Sequence, residues 1–121
     1  MKRDLDLVRK ILLAMEAEAH GFAPAPFTIP GYDQEVIGHH VLLMIEGRLI
    51  TGVAITAQGD GSPTALPGSI TWTGHEFLDA TRTDRVWTKI KTEMKDRGVA
   101  LPFTLVQELA LKLLKGMTGL D

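Results

Sequence analysis

The sequence predicts an α+β fold, a single β-hairpin set among helices, and three observations carry that reading. Apolar residues recur at helical spacing over residues 4–19, 33–46 and 85–97, and again from Pro102 to about Lys115. Two short runs of strand character, 49–57 and 69–72, flank a loop dense in turn formers, Gln58–Gly68. The 121 residues are 45% hydrophobic and 23% charged, enough apolar material for one core and one domain.

In chain order, the first helix buries an arc of Leu5, Leu7, Val8, Ile11, Leu12, Met15 and Ala19, leaves Arg9, Lys10, Glu16 and Glu18 mostly off it, and stops at Gly21. Residues 22–32 contain Pro24, Pro26 and Pro30, each lacking an N–H and biasing its predecessor towards extended geometry. They read as an extended connector with a short edge strand at 27–29. Asp33 is placed to cap a second helix, and Gly47 to end it. That helix presents Val36, Ile37, His40, Val41, Met44 and Ile45 inwards, and Glu35, Gly38, His39, Leu42 and Glu46 outwards, so His39 is expected exposed and His40 buried.

After the hairpin, Thr73-Gly74-His75-Glu76 matches a capping box, in which the Thr and Glu side chains satisfy two orphan N–H groups reciprocally. It opens a short helix carrying Phe77, Leu78 and Ala80. Asp84 caps the next helix, with a narrow stripe of Val86, Trp87, Ile90 and Met94, and Gly98 ends it. Pro102 suits the first turn of the last helix, which is expected to end before Gly116.

Composition narrows the function. With no cysteine there is no disulfide framework, thiolate metal site or cysteine nucleophile. No apolar run approaches the roughly 18 residues of a membrane span. The opening Met1-Lys2-Arg3-Asp4-Leu5-Asp6 sets two acids after its basic pair, unlike a secretory signal, so a cytoplasmic location is expected. Thirteen Lys and Arg against fifteen Asp and Glu leave a net charge of −2.

The element order resembles a winged-helix unit. Glu46-Gly47-Arg48-Leu49-Ile50 is similar to the end of a third helix running into the first wing strand, and residues 70–78 to the return strand and the helix after it. The Pro-rich segment stands where a middle helix would be. Three blocks, Met1–Leu12, Gly31–Ile50 and Thr71–Ala80 with Val86-Trp87 after it, together resemble the bacterial and phage domain-of-unknown-function family 2513. The resemblance covers most of residues 1–97 and implies a fold, with no family activity to carry over. Residues 1–121 are thus expected as one domain, with a winged-helix-like core over 1–82 (helix, extended segment, helix, β-hairpin wing, short helix) and two C-terminal helices over 83–121.

A winged helix raises nucleic acid first. Residues 33–48 oppose Asp33, Glu35 and Glu46 with Arg48 alone, and the wing loop carries Asp60 and no base, a poor match to a phosphate backbone. The basic residues concentrate at 82–97, where Arg85, Lys89, Lys91 and Lys95 spread over one helix as on an ordinary solvated face. Arg48, Arg82, Arg85 and Lys89 are the candidate nucleic-acid contacts. His75 and Asp79 stand four apart, like two ligands of a helical zinc motif, but two ligands are too few and Glu76 belongs to the capping box. Gly59–Ser62 lacks the Gly-Lys-Ser/Thr of a phosphate loop. Ser62 and Ser69 lie in no nucleophile elbow, and Asp4/Asp6 and Glu16/Glu18 lie along a solvated helix.

No catalytic constellation, metal site or cofactor is therefore assigned. The last helix is different: Phe103, Leu105, Val106, Leu109, Ala110, Leu113, Leu114 and Met117 spread over roughly 180°, wider than the roughly 100° stripe of one core contact. Leu111 lies outside even that arc. The sequence thus predicts a non-catalytic binding or regulatory module working through protein contacts, with itself as a homodimer and with a further protein partner. Leu105, Leu109, Leu111, Leu113 and Leu114 form the candidate interface. A winged-helix DNA-binding transcription regulator is the alternative.

Overall fold

The structure is a computed structural model and describes residues 2–18, 28–56, 63–97 and 102–118. Its elements are α1 (Leu5–Glu16), α2 (Gln34–Glu46), β1 (Ile50–Thr56), β2 (Pro63–Ile70), α3 (Trp72–Thr81), α4 (Asp84–Arg97) and α5 (Phe103–Thr118). The α+β layout is the one the sequence predicts, five helices and one antiparallel hairpin among the described residues. Two compact units divide the chain, 1–75 and 76–121. Most of the Pro-rich connector and the hairpin tip lie outside the described residues, and Thr28 and Ile29 carry no strand.

In the first unit, Asp4 caps α1, its carboxylate accepting from the N–H groups of Asp6 (2.9 Å) and Leu7 (3.3 Å). The helix buries Leu5, Leu7, Val8, Ile11, Leu12 and Met15. It also buries Arg9, expected off the apolar arc, because burial wraps more than half of the helix circumference. His40 is buried and joins α1 to α2: its Nε2 accepts the Asp4 N–H at 2.8 Å, while Nδ1 lies 2.9 Å from the Val36 carbonyl. Both bonds are satisfied only by the neutral ring with its proton on Nδ1. His39 is half-buried rather than exposed, since its ring stands edge-on against His40 at 5.8 Å. Gly38, expected outwards, is buried, whereas Val36 and Ile45 are only half-buried.

The ends of α2 differ in detail from expectation. Asp33 occupies the N-cap position without a side-chain bond. At the other end Gly47 stays right-handed, and Arg48 takes the left-handed conformation, with φ 62°. Arg48 N–H then reaches the Ile45 carbonyl (3.0 Å) and Leu49 N–H that of Met44 (2.9 Å), the paired bonds of a Schellman end displaced one residue beyond the glycine.

β1 pairs with β2 from Ile50↔Ile70 through Val53↔Leu66 to Thr56↔Pro63. Between Ile50↔Ile70 and Gly52↔Pro67 one residue of β1 opposes two of β2, so the bulge belongs to β2 while β1 runs regularly. β2 starts at Pro63, within the stretch expected as loop; both its prolines fit an outer strand, where a missing N–H need not break the ladder.

The second strand ends before Thr71, and α3 begins at Trp72, not at the anticipated Thr73 box. Thr71 is the cap: its Oγ1 accepts the Gly74 N–H at 3.1 Å. The same hydroxyl lies 2.6 Å from the Arg48 carbonyl and 2.9 Å from that of Leu49, and can donate to either. A Cβ at Gly74 would collide with the Leu49 carbonyl, so only glycine lets α3 start this close.

In the second unit Phe77 stacks on Phe103 (centroids 4.8 Å apart) and meets Trp87 edge-on (6.2 Å), among buried Leu78, Val86, Ile90, Val106 and Ala110. Thr83, one residue before the expected Asp84, caps α4, its Oγ1 accepting the Val86 N–H at 3.4 Å. α5 continues through Gly116 to Thr118 rather than stopping at the glycine.

Two stability outcomes follow from these bonds. His40→Leu leaves the part-buried Asp4 N–H without its acceptor and should lower unfolding stability by about 1–3 kcal/mol, read as a lower urea midpoint at unchanged slope. Thr71→Ala should cost about 1–2 kcal/mol, whereas Thr73→Ala, on the exposed first turn of α3, should change stability by no more than about 0.5 kcal/mol. Equal losses for both threonines would return the cap to Thr73.

Candidate functional site

The outward stripe of α2 consists of Glu35, His39, Leu42 and Glu46, spaced so that all four fall on one face. It offers two carboxylates and no cation. Arg48 is exposed, just beyond the end of this helix. In the second unit, Arg82 pairs with Asp79 at 2.8 Å, while Arg85 and Lys89 are exposed one turn apart on α4. The DNA-binding reading therefore gains no cationic helix face in the first unit, and its α4 residues lie on an ordinary solvated surface.

Two of the side chains considered for chemistry, Asp79 and Ser69, have structural partners, and Gly59–Ser62 lie outside the described residues. Asp79 accepts from Arg82 at 2.8 Å. Glu76 is exposed in the first turns of α3, and the Ser69 hydroxyl bonds that of Thr51 at 3.0 Å. Among the described residues no group of three or more His, Cys, Asp or Glu is placed to hold a metal ion. Lys10 is held above the usual lysine range by the Asp6 carboxylate, 3.4 Å away, and by Tyr32, whose ring it overlies at 5.3 Å. Such a shift keeps the amine protonated and unsuited to act as a base at neutral pH.

What remains are apolar surfaces. On α5, Val106 and Ala110 are fully buried, Leu109, Leu113 and Leu114 are half-buried, and Leu105 (47%) and Leu111 (46%) are exposed. These five are the interface candidates of the sequence, and the helix grades them from core to solvent. The hairpin has a second surface that sequence reasoning does not single out. Val53 and Leu66 face each other across the ladder and are 64% and 52% exposed; Ile55 on the same side is also exposed. Trp72, at the start of α3, is 81% exposed. A signal was present: residues 49–56 and 63–74 contain no charged side chain at all.

Comparison with known proteins places the chain in a family. A family model described as "Hypothetical protein (DUF2513)" matches residues 2–100. An "Uncharacterized protein" of Haemophilus influenzae is 35% identical over 120 residues, spanning 97% of this chain and 98% of its own length. No solved structure matches significantly. The matches carry no winged-helix assignment, and no helix among the described residues is long and apolar enough to cross a membrane.

Arg48 gives a direct test of how the end of α2 is held. A left-handed L-residue costs roughly 1–2 kcal/mol, part of which glycine recovers at the expense of unfolded-state entropy. Arg48→Gly should raise stability by about 0.5–1 kcal/mol in urea unfolding; a loss would mean that the arginine side chain contributes contacts outweighing its backbone strain.

Proposed function

The chain belongs to the DUF2513 family, and we propose that it is a cytoplasmic, non-catalytic binding module that acts through protein contacts, as a homodimer joined at α5. The observation that carries this reading is the exposure of Leu105 and Leu111 on a helix whose opposite side is already filled by Val106 and Ala110. At 100° per residue the two leucines stand about 120° apart on the outward face, with Glu108 and Lys112 between them. In an antiparallel twofold contact Glu108 of one copy falls opposite Lys112 of the other, so the charges on this face complement themselves.

The magnitudes suit a modest association. Burying a leucine contributes roughly 1.5–3 kcal/mol. A twofold axis counts each position twice, and part of the gain offsets the lost freedom of two bodies. A second copy would cover both leucines, which the chain's own core leaves in solvent.

At tens of micromolar, sedimentation velocity should give a mass above the monomer's. Leu111→Glu should remove one association step while leaving the far-UV circular dichroism and the melting temperature close to those of the parent. A monomeric parent protein overturns the reading, and gross unfolding of Leu111→Glu would assign Leu111 to the core instead.

A further inference from the structure

We infer that β1 is a second self-contact: its outer edge pairs antiparallel with β1 of another copy, about a twofold axis at Val53, making one four-stranded sheet from two hairpins. The inference deepens the self-association reading but uses a different surface, in the unit formed by residues 1–75.

The first ground is the state of the edge. Among the described residues β1 has β2 on one side only, and Thr51, Gly52, Val53, Ala54 and Ile55 are all exposed. An outer strand offers a row of backbone donors and acceptors, and proteins ordinarily guard it with charge, proline or a bulge. Here the guards fall on β2, which has Pro63, Pro67 and the bulge opposite Thr51. β1 has none: Ile50-Thr51-Gly52-Val53-Ala54-Ile55-Thr56 is regular, rich in β-branched residues and free of charge.

The second ground is that this strand complements itself. Turned antiparallel about Val53, it sets Val53 against Val53, Thr51 against Ile55, and Gly52 against Ala54. On one face every pair is β-branched, the kind of cross-strand neighbour that stabilises a sheet. On the other face small residues meet small residues. The small face is required within the chain, because a Cβ at Gly52 would crowd the Ile45 side chain and the Leu66 carbonyl. Any charged residue near the axis would meet its own like charge, and the strand has none. The pairing also sets Val53 of one copy beside Val53 of its mate, with a Leu66 flanking the pair on each side, so that the exposed apolar face continues across both hairpins. These features select a second copy of the chain over a charged or proline-rich peptide as the occupant.

The chain has no cysteine, which allows a direct test. Residues opposed across an antiparallel pair have Cα atoms roughly 4.5–5.5 Å apart, within disulfide range. Val53→Cys should therefore oxidise to a covalent dimer as the main species at low micromolar concentration. Leu66→Cys, one strand further from the axis on each side, should remain largely unlinked. Both are made in the Leu111→Glu background, so that the result does not depend on α5. In sedimentation, Val53→Lys should remove the association that Leu111→Glu leaves, and Val53→Thr should retain it. If α5 does not associate, Val53→Lys alone takes the otherwise wild-type protein to monomer. Comparable oxidation of the two cysteine variants, or an unchanged mass for Val53→Lys, overturns the β1 pairing and leaves its edge to a strand of another protein.

Discussion

The Thr71 hydroxyl ties three elements of the first unit together. The chain leaves α2 through a left-handed Arg48, which turns the Arg48 and Leu49 carbonyls towards the returning strand. The Thr71 hydroxyl donates to one or the other of those carbonyls, its own N–H bonds the Leu49 carbonyl at 3.0 Å, and its oxygen accepts the Gly74 N–H that opens α3. One side chain thus sets where α2 stops, where β2 ends and where α3 begins. Gly74 makes the arrangement sterically possible, since any larger residue would strike Leu49. Removing the hydroxyl would orphan backbone groups on more than one element, which is why a surface threonine carries so much of the local geometry.

A second link, from His40 in the middle of α2 to Asp4, works in the same way. A buried imidazole is costly unless both nitrogens find partners, and here one partner lies in its own helix and the other 36 residues away. The bond closes the backbone of the residue that caps α1, so the start of one helix is specified by a side chain in the next. Both links are polar contacts between elements whose helical stripes supply the apolar packing. The stripes determine which faces are buried, and the polar links determine the register in which they meet.

This division explains what could be read in the sequence. The stripes of α1, α2 and α4 were legible because burial follows a simple period, and the hairpin because its turn formers separate two β-rich runs. Thr73 matched a capping box as written, but the choice between Thr71 and Thr73 is made by the Arg48 and Leu49 carbonyls, which no local pattern displays. Gly47 marked the end of α2 to within one residue; the left-handed position fell on Arg48 instead. The helical period sets Arg9 mostly off the apolar arc, yet it is buried because α1 is covered around more than half its girth. At the candidate surfaces, the width of the apolar arc on α5 was legible. The exposed face of the hairpin was not, because alternation in a strand predicts two faces without saying which of them stays uncovered.

The hairpin and α5 pose the same physical problem in different backbones. Each exposes aliphatic side chains that the chain's own core does not take up, and a net charge of −2 gives little general repulsion to keep copies apart. On α5 the leucines are interspersed with Glu108, Lys112 and Lys115, so the helix can stay solvated until a partner of the right shape arrives. On β1 no charged residue intervenes, and the unpaired backbone edge adds directional hydrogen bonding to apolar attraction. A surface of the first kind associates weakly and reversibly, whereas one of the second kind carries a standing risk of uncontrolled strand addition. Limiting that risk requires pairing that closes on itself, and an antiparallel twofold contact at Val53 closes each β1 edge with one partner. The two prolines and the bulge of β2 then guard both outer edges of the combined sheet, so strand addition ends at four.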